Sequence, residues 1–320
     1  MSFFRGIYRF DYMGHMKWWF ALSGIVIAVG LISLFVRGGG DPGHGLNYGL
    51  EFKEGTRIAV AFEKPASVAD VRAVVADAGY AEAEIQEVSA VGGSSLPGFQ
   101  LQVESLTPAE QAALKKALDD KFTIAQEGGT QVYTSQTVGP TFGGEVVSSS
   151  YKAAALALLL ILGYVSIRFQ WKFAVGAIAA EIHDLLVVIG VYSLTGREVT
   201  TATIAAVLTI LGYSLYDTVI VYDRIRENST KLGRLPFADI VNRSIWETLT
   251  RSINTTLTVL LPVLMLLLFG GTTLTDFAFA LLVGIVSGAY SSIFLASPVV
   301  TLLKQREPQY RRLAARAEQT

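Results

Sequence analysis

Six apolar stretches divide the chain, each long enough to cross a bilayer core, which takes roughly 20 mostly apolar residues. They run from Trp18 to Val36, Ser150 to Arg168, Phe173 to Leu194, Thr200 to Tyr222, Ser252 to Gly270 and Phe277 to Leu303. Between the first and the second the pattern changes. Thr56 to Glu63 (TRIAVAFE) alternates apolar and polar positions as a half-buried strand does, and SVADVRAVVADA has an N-cap Ser67 with Val68, Val71, Val74 and Val75 at helical spacing. AEIQEVS and GFQLQVES predict two further strands, separated by the turn sequence GGSSLPG. TPAEQAALKKALDDKF places Thr107 as N-cap, Pro108 at the first helical position and Glu110 as the capping-box partner, and TQVYTSQTV closes as a last strand. The order β-α-β-β-α-β is that of a ferredoxin-like α+β domain. The expected fold class is therefore an α-helical membrane protein with six transmembrane helices and one ferredoxin-like domain, residues 37–149, inserted after the first helix.

Composition agrees with a lipid environment: 51% of the 320 residues are hydrophobic and 17% charged. The net charge of −1 sums segments of opposite character. Basic residues fall in four sets that alternation of the spans puts on one side: Arg5, Arg9 and Lys17 in the N-terminus 1–17; Arg168 and Lys172; Arg224, Arg226, Lys231, Arg234 and Arg243 in the loop 223–251; and Lys304, Arg306, Arg311, Arg312 and Arg316 in the tail 304–320. The opposite loops, LTGREVT and GGTTLTD, hold only Arg197, so both termini are expected to be cytoplasmic and 37–149 to face outward. Trp18 to Val36 is too long and lacks the cleavage pattern of a signal peptide, and reads as a retained anchor. The loop 223–251 is amphipathic around Phe237, Ile240, Val241 and Ile245 and is expected to lie along the cytoplasmic membrane face. Acidic residues outnumber basic ones in the inserted domain, which argues against nucleic acid as a partner. The chain has no Cys, and contains neither GxxxxGK[ST] nor HExxH, so nothing points to a disulfide, a metal site, an ATP site or an enzyme.

Asp217 interrupts the fourth apolar stretch. An Asp at the centre of a membrane helix costs about 2.5–3.5 kcal/mol on insertion scales, so such a group faces protein or water and not lipid. Counted back from Asp223, it lies about 9 Å deep at 1.5 Å per residue. Arg251, at the start of the fifth stretch, comes to a similar level, and Asn254 and Thr255 follow it at i+3 and i+4 on one face. Two readings stand: a static ion pair joining two helices, or a carboxyl that gains and loses a proton as the guanidinium leaves and returns. In the third stretch Glu181, His183 and Asp184 admit a structural hydrogen-bond network, a proton path or a pocket edge, without the spacing of a metal site. Gly284 and Gly288 in the sixth allow close helix approach.

Five segments together carry a resemblance: GLEFKEGT after the first helix, VGPTFGGEV before the second, IHDLLVVIG in the third, GYSLYDTVIVYDRIREN in the fourth and TLTRSINTTLTVLLPVLMLLLFGG in the fifth. The chain resembles the SecF branch of the bacterial SecD/SecF protein-export family. Two departures are Glu54, where the family more often has Gly, and Glu181, an extra intramembrane acid. The resemblance implies half of a resistance-nodulation-division transporter in the cytoplasmic (inner) membrane, completed by a SecD-like subunit. It implies action beside a SecY-type channel on a preprotein in transit, driven by the proton gradient and with no cofactor. Asp217 and Arg251 match the family's proton site with Thr255 beside it and Asn254 on the same face, and His183 and Asp184 match an HD pair. Gly49, Glu51, Phe52, Gly55, Thr56, Gly139, Pro140 and Gly143 match the segments that join the outward domain to the membrane. The coupling ion, proton or sodium, stays open.

Overall fold

The computed structural model describes residues 10–52, 55–88, 90–91, 94 and 96–317. Glu54, Arg5 and Arg9 lie outside the described residues. The chain forms two compact units, one of residues 1–47 with 151–320 and one of residues 48–150.

The smaller unit contains β1 (Gly55–Val60), α2 (Val68–Asp77), β2 (Glu84–Val88), β3 (Gly98–Val103), α3 (Pro108–Phe122) and β4 (Tyr133–Val138). Its sheet has the order β2-β3-β1-β4, with every neighbour antiparallel and Ile58 opposite both Leu101 and Ser135. This is the ferredoxin-like arrangement. Alternation along β1 and β3 sends Ile58, Val60, Leu101 and Val103 into one core, where they meet Val71 and Val75 of α2 and Leu114, Leu118 and Phe122 of α3. Both helices start at complete capping boxes, Ser67 with Asp70 and Thr107 with Glu110, and Pro108 opens α3. TQVYTSQTV is not one strand. Thr130–Gln131 turns back on Gln126–Glu127 through Gly128 and Gly129, both at positive φ, and Val132 bonds Ala125 and Ala61 before β4 begins.

The larger unit is helical. Among the described residues six helices are long and apolar enough to cross a membrane, by length and composition. They belong to α1 (Met16–Arg37), α4 (Pro140–Arg168), α5 (Trp171–Thr195), α6 (Thr201–Lys231), α7 (Phe237–Phe269) and a last span built from α8 (Gly271–Ser291), a π turn (Ser292–Ala296) and α9 (Ser297–Lys304). A further helix, α10 (Pro308–Ala317), follows. The π turn precedes Pro298, which has no N–H to bond the carbonyl four residues back. Small residues bring helices close. A Cβ on Gly30 of α1 would come within 2.7 Å of the Gly190 Cα in α5, and Gly284 and Gly288 of α8 lie against Ile210 and Ser214 of α6.

The segment 223–251 corrects the sequence expectation. It is not a loop, since α6 continues to Lys231 and α7 begins at Phe237. Phe237, Ile240, Val241 and Ile245 are buried in the protein, packed with Val221, Ile225 and Tyr310. Their apolar stripe has helical spacing and is satisfied by neighbouring helices, so lipid is not needed to cover it. The opposite, polar side is tied by Arg224 and Arg243 to Glu247 at 2.6 and 3.1 Å.

Candidate functional site

α6 starts at Thr200, whose side chain accepts from the Thr203 N–H, and runs without a break past Asp217. At 1.5 Å per residue Asp217 lies about 24 Å from the start of this helix. It is 1% exposed. Its carboxylate is poorly served by donors. The Thr255 hydroxyl approaches Oδ1 at 3.4 Å, but the same hydroxyl is 3.0 Å from two carbonyls of its own helix, those of Arg251 and Ser252. One proton cannot serve all three well, and the contact to Asp217 is the longest. Oδ2 has no protein partner.

Arg251 does not meet Asp217. Among the described residues it forms no ion pair, and it is exposed. Asn254 is exposed as well, and its backbone carbonyl takes the Thr258 hydroxyl. The inner face of α7 runs through Ser244, Ile245, Thr248, Leu249, Ser252 and Thr256, which turns positions 251 and 254 away. The expected stripe Arg251–Asn254–Thr255 is thus replaced by Ser252, Thr255 and Thr256. Among the described residues the hydroxyls of Ser252, Thr256 and Tyr213 make no hydrogen bond of ordinary geometry, as with Asp217 Oδ2, although Thr256 faces both that carboxylate and Tyr213. Tyr213 lies one helical turn before Asp217. Sequence reasoning missed these three groups. The available signal was the i, i+4 pair Ser252–Thr256 and Tyr213 at i−4 from the acid.

Asp184 of α5 is the opposite kind of acid. It is fully buried and accepts from Ser214 of α6 at 2.7 Å and from Ser287 and Ser291 of α8 at 2.5 and 2.8 Å. His183 Nδ1 is 3.1 Å from its Oδ1, and the His ring stacks on Tyr290. Four groups from two neighbouring helices and its own converge on one carboxylate, which suits it to hold a charge and to lock three helices together. Glu181, one turn earlier, has no partner on either oxygen.

The residues matched to the domain junction lie as follows. Gly49 and Phe52 share a turn through the Phe52 N–H and the Gly49 carbonyl, and Glu51 between them is partly buried. Gly55 has φ 147° and pairs with Val138. Thr56 is fully buried, bonded to the Thr137 hydroxyl at 2.8 Å and to the Leu106 N–H at 2.9 Å. Gly139 is exposed just before α4, whose first turn includes Pro140 and Gly143.

The profile of the family described as "Protein export membrane protein SecD/SecF, C-terminal" matches residues 118–306. The chain belongs to the SecD/SecF family. "Protein translocase subunit SecF" of Streptomyces coelicolor is 36% identical over 96% of this chain and 80% of its own length. The protein of that description from Thermobaculum terrenum is 37% identical over 95% and 97%. The crystal structure of SecDF, described as a translocon-associated membrane protein from Thermus thermophilus, superposes with a TM-score of 0.79 at 38% identity and covers 93% of this chain. This chain spans only 39% of that polypeptide. Six apolar helices with one ferredoxin-like domain are thus the SecD/SecF plan, half of a resistance-nodulation-division fold. A multi-pass membrane protein follows from the same helices.

Proposed function

We propose that this SecD/SecF protein is the SecF-like subunit of a Sec translocase accessory complex. With a SecD-like partner it uses the proton gradient to promote late steps of preprotein export, after a SecY-type channel has begun them. It resides in the cytoplasmic membrane with both termini inside and the domain 37–149 outside. Its relatives' names, protein translocase subunits SecF and SecDF, support the translocase role, and the single-chain SecDF supports the SecD partner.

One observation carries the proton reading: Asp217 is buried in a membrane helix with one oxygen unpartnered and the other at the end of a long, shared contact. A carboxylate so placed is poorly solvated, and a proton relieves it. Arg251 lies one turn from Thr255 on the neighbouring helix, near enough in sequence to swing toward the carboxylate once the proton leaves. Proton entry, release of Arg251 and a shift of α6 against α7 then form one cycle, in which Thr255 and Asn254 line the route and His183 and Asp184 hold the helices through which the shift passes. The segments around Gly49–Thr56 and Gly139–Gly143 pass that shift to the outward domain. One charge crossing the membrane gains about 2.3 kcal/mol per 100 mV, enough to bias such a cycle.

The test is Asp217→Asn in membranes that contain the partner complex. Export is expected to lose its dependence on the proton gradient while the protein still assembles with its partner. Export that still responds fully to the gradient would refute the cycle.

A further inference from the structure

Two acids one helical turn apart on α5 have contrasting surroundings. Asp184 collects three serine hydroxyls and an imidazole. Glu181 is 0% exposed, and among the described residues neither carboxyl oxygen has a hydrogen-bond partner.

Protein groups close around Glu181. Ala177 and Ala180 beside it on α5 are buried, and Tyr222 reaches in from α6, fully buried itself. The Tyr222 hydroxyl occupies space left by Gly176, where a Cβ would come within 2.4 Å of it. That hydroxyl has only a 3.4 Å contact, to the Ala296 carbonyl at the end of the π turn. The titratable groups that face Glu181 are Asp184 on its own helix and Tyr222 from α6. Among the described residues no Lys or Arg faces it from α1, α8 or α9; Lys304 of α9 is held by Glu307 at 3.0 Å. An ionised carboxylate without a donor or a counter-charge is among the costliest groups to bury, and a second negative charge one turn away on Asp184 adds to that cost.

We propose that Glu181 is a second proton-binding site of the bundle, which holds a proton in the conformation described here and exchanges it when α6 and the π turn move away from α5. The proton then passes from the carboxyl to water admitted by that opening, and returns when the helices close. The site is separate from Asp217. Its use in transport rests on the proton-driven reading above, whereas its occupancy does not.

The two levels are tested separately. The full chain is prepared with carbonyl-labelled glutamate, reconstituted in lipid nanodiscs, and examined by infrared spectroscopy at neutral pH. Surface glutamates are ionised there, so a label-sensitive protonated-carboxyl band is expected from Glu181, absent in Glu181→Gln and retained in Asp217→Asn. Lack of any such band in the unaltered, labelled protein would overturn the assignment without reliance on a variant. For coupling, export by the complex is measured against pH. Glu181→Gln is expected to remove one inflection and Glu181→Asp to restore it. A Glu181→Gln profile that coincides with the unaltered one would show a buried acid with no part in the cycle, even if Asp217→Asn abolishes gradient dependence.

Discussion

At the scale of single residues, the buried acids divide by what donates to them. Asp184 is held by donors on three helices, so losing one donor leaves a charge short of a bond inside the protein. Ser287→Ala removes the shortest of these, 2.5 Å. A hydrogen bond to a charged group contributes about 1.5–3 kcal/mol, so the thermal midpoint in detergent is expected to fall measurably. Alanine at Ser287 without any loss would mean that Asp184 is not the lock between α5 and α8. The acids themselves were legible in the sequence, because Asp or Glu inside an apolar run stands out by its insertion cost. Ser214, Ser252, Thr256, Ser287 and Ser291 were not. Hydroxyls satisfy themselves on the preceding turn of a membrane helix, so hydropathy does not mark them, and which face they occupy is decided by packing. Arg251 failed for the same reason. Its spacing to Thr255 is right for a shared stripe, but the phase of α7 turns it outward.

Elements were readable where local chemistry marks their ends. Ser67, Thr107 and Pro108 start two helices of the smaller unit, and alternation along β1 and β3 gives their buried faces. The membrane helices lack such marks on one side. The apolar runs stop at Tyr222 and resume at Ser252 while α6 and α7 continue through 223–231 and 237–251, since hydropathy reports the solvent and not the backbone. The tail behaves likewise, forming α10 with Tyr310 packed on Phe237. Two lysines converge where α10 departs: Glu307 accepts from Lys172 at 2.7 Å and pairs with Lys304 at 3.0 Å. Partial burial would raise the Glu307 carboxyl, but the bonds from Lys172 and Lys304 outweigh it and hold it below the usual range. A group lowered in the folded state contributes stability above its unfolded value, near ~4.3 for Glu, and that stability is lost as pH falls through the lower, folded value. A spin label at Ala314→Cys, in a chain with no other Cys, should therefore stay immobile at neutral pH and become mobile under acid. With Glu307→Gln it should be mobile at both. Immobility of α10 in the Gln variant would assign its docking to Tyr310 alone.

At the scale of the whole molecule, the helices of the larger unit are unequally enclosed. The apolar segments of α5 and of the last span are 50% and 56% buried, against 17% for α1 and α7, and α4 buries Ile161 and Val165. Lipid can cover the apolar side chains of an outer helix. It cannot cheaply cover Arg251 and Asn254, which α7 presents outward at the start of its apolar run. Polar groups on an outward face of a membrane bundle call for a second protein surface or a water-filled cleft, and both arise if another six-helix bundle packs there. The relative in which such a protein is one part of a single SecDF chain points to a SecD-like bundle as that neighbour. The expectation is specific to a face. Asn254→Cys should react with a small maleimide slowly or not at all in the detergent-solubilised complex and faster in the detergent-solubilised isolated chain. A cysteine on α4 at Leu159, a position exposed in the chain by itself, should report the same environment in both. Equal reaction at Asn254→Cys with and without the partner would place the interface elsewhere and leave Arg251 facing lipid, an arrangement whose cost would then need another source of relief. If protection is confined to the α7 face, Arg251 and Asn254 lie at the seam between two bundles, while Asp217 stays inside this one, joined to that face through Thr255 of α7.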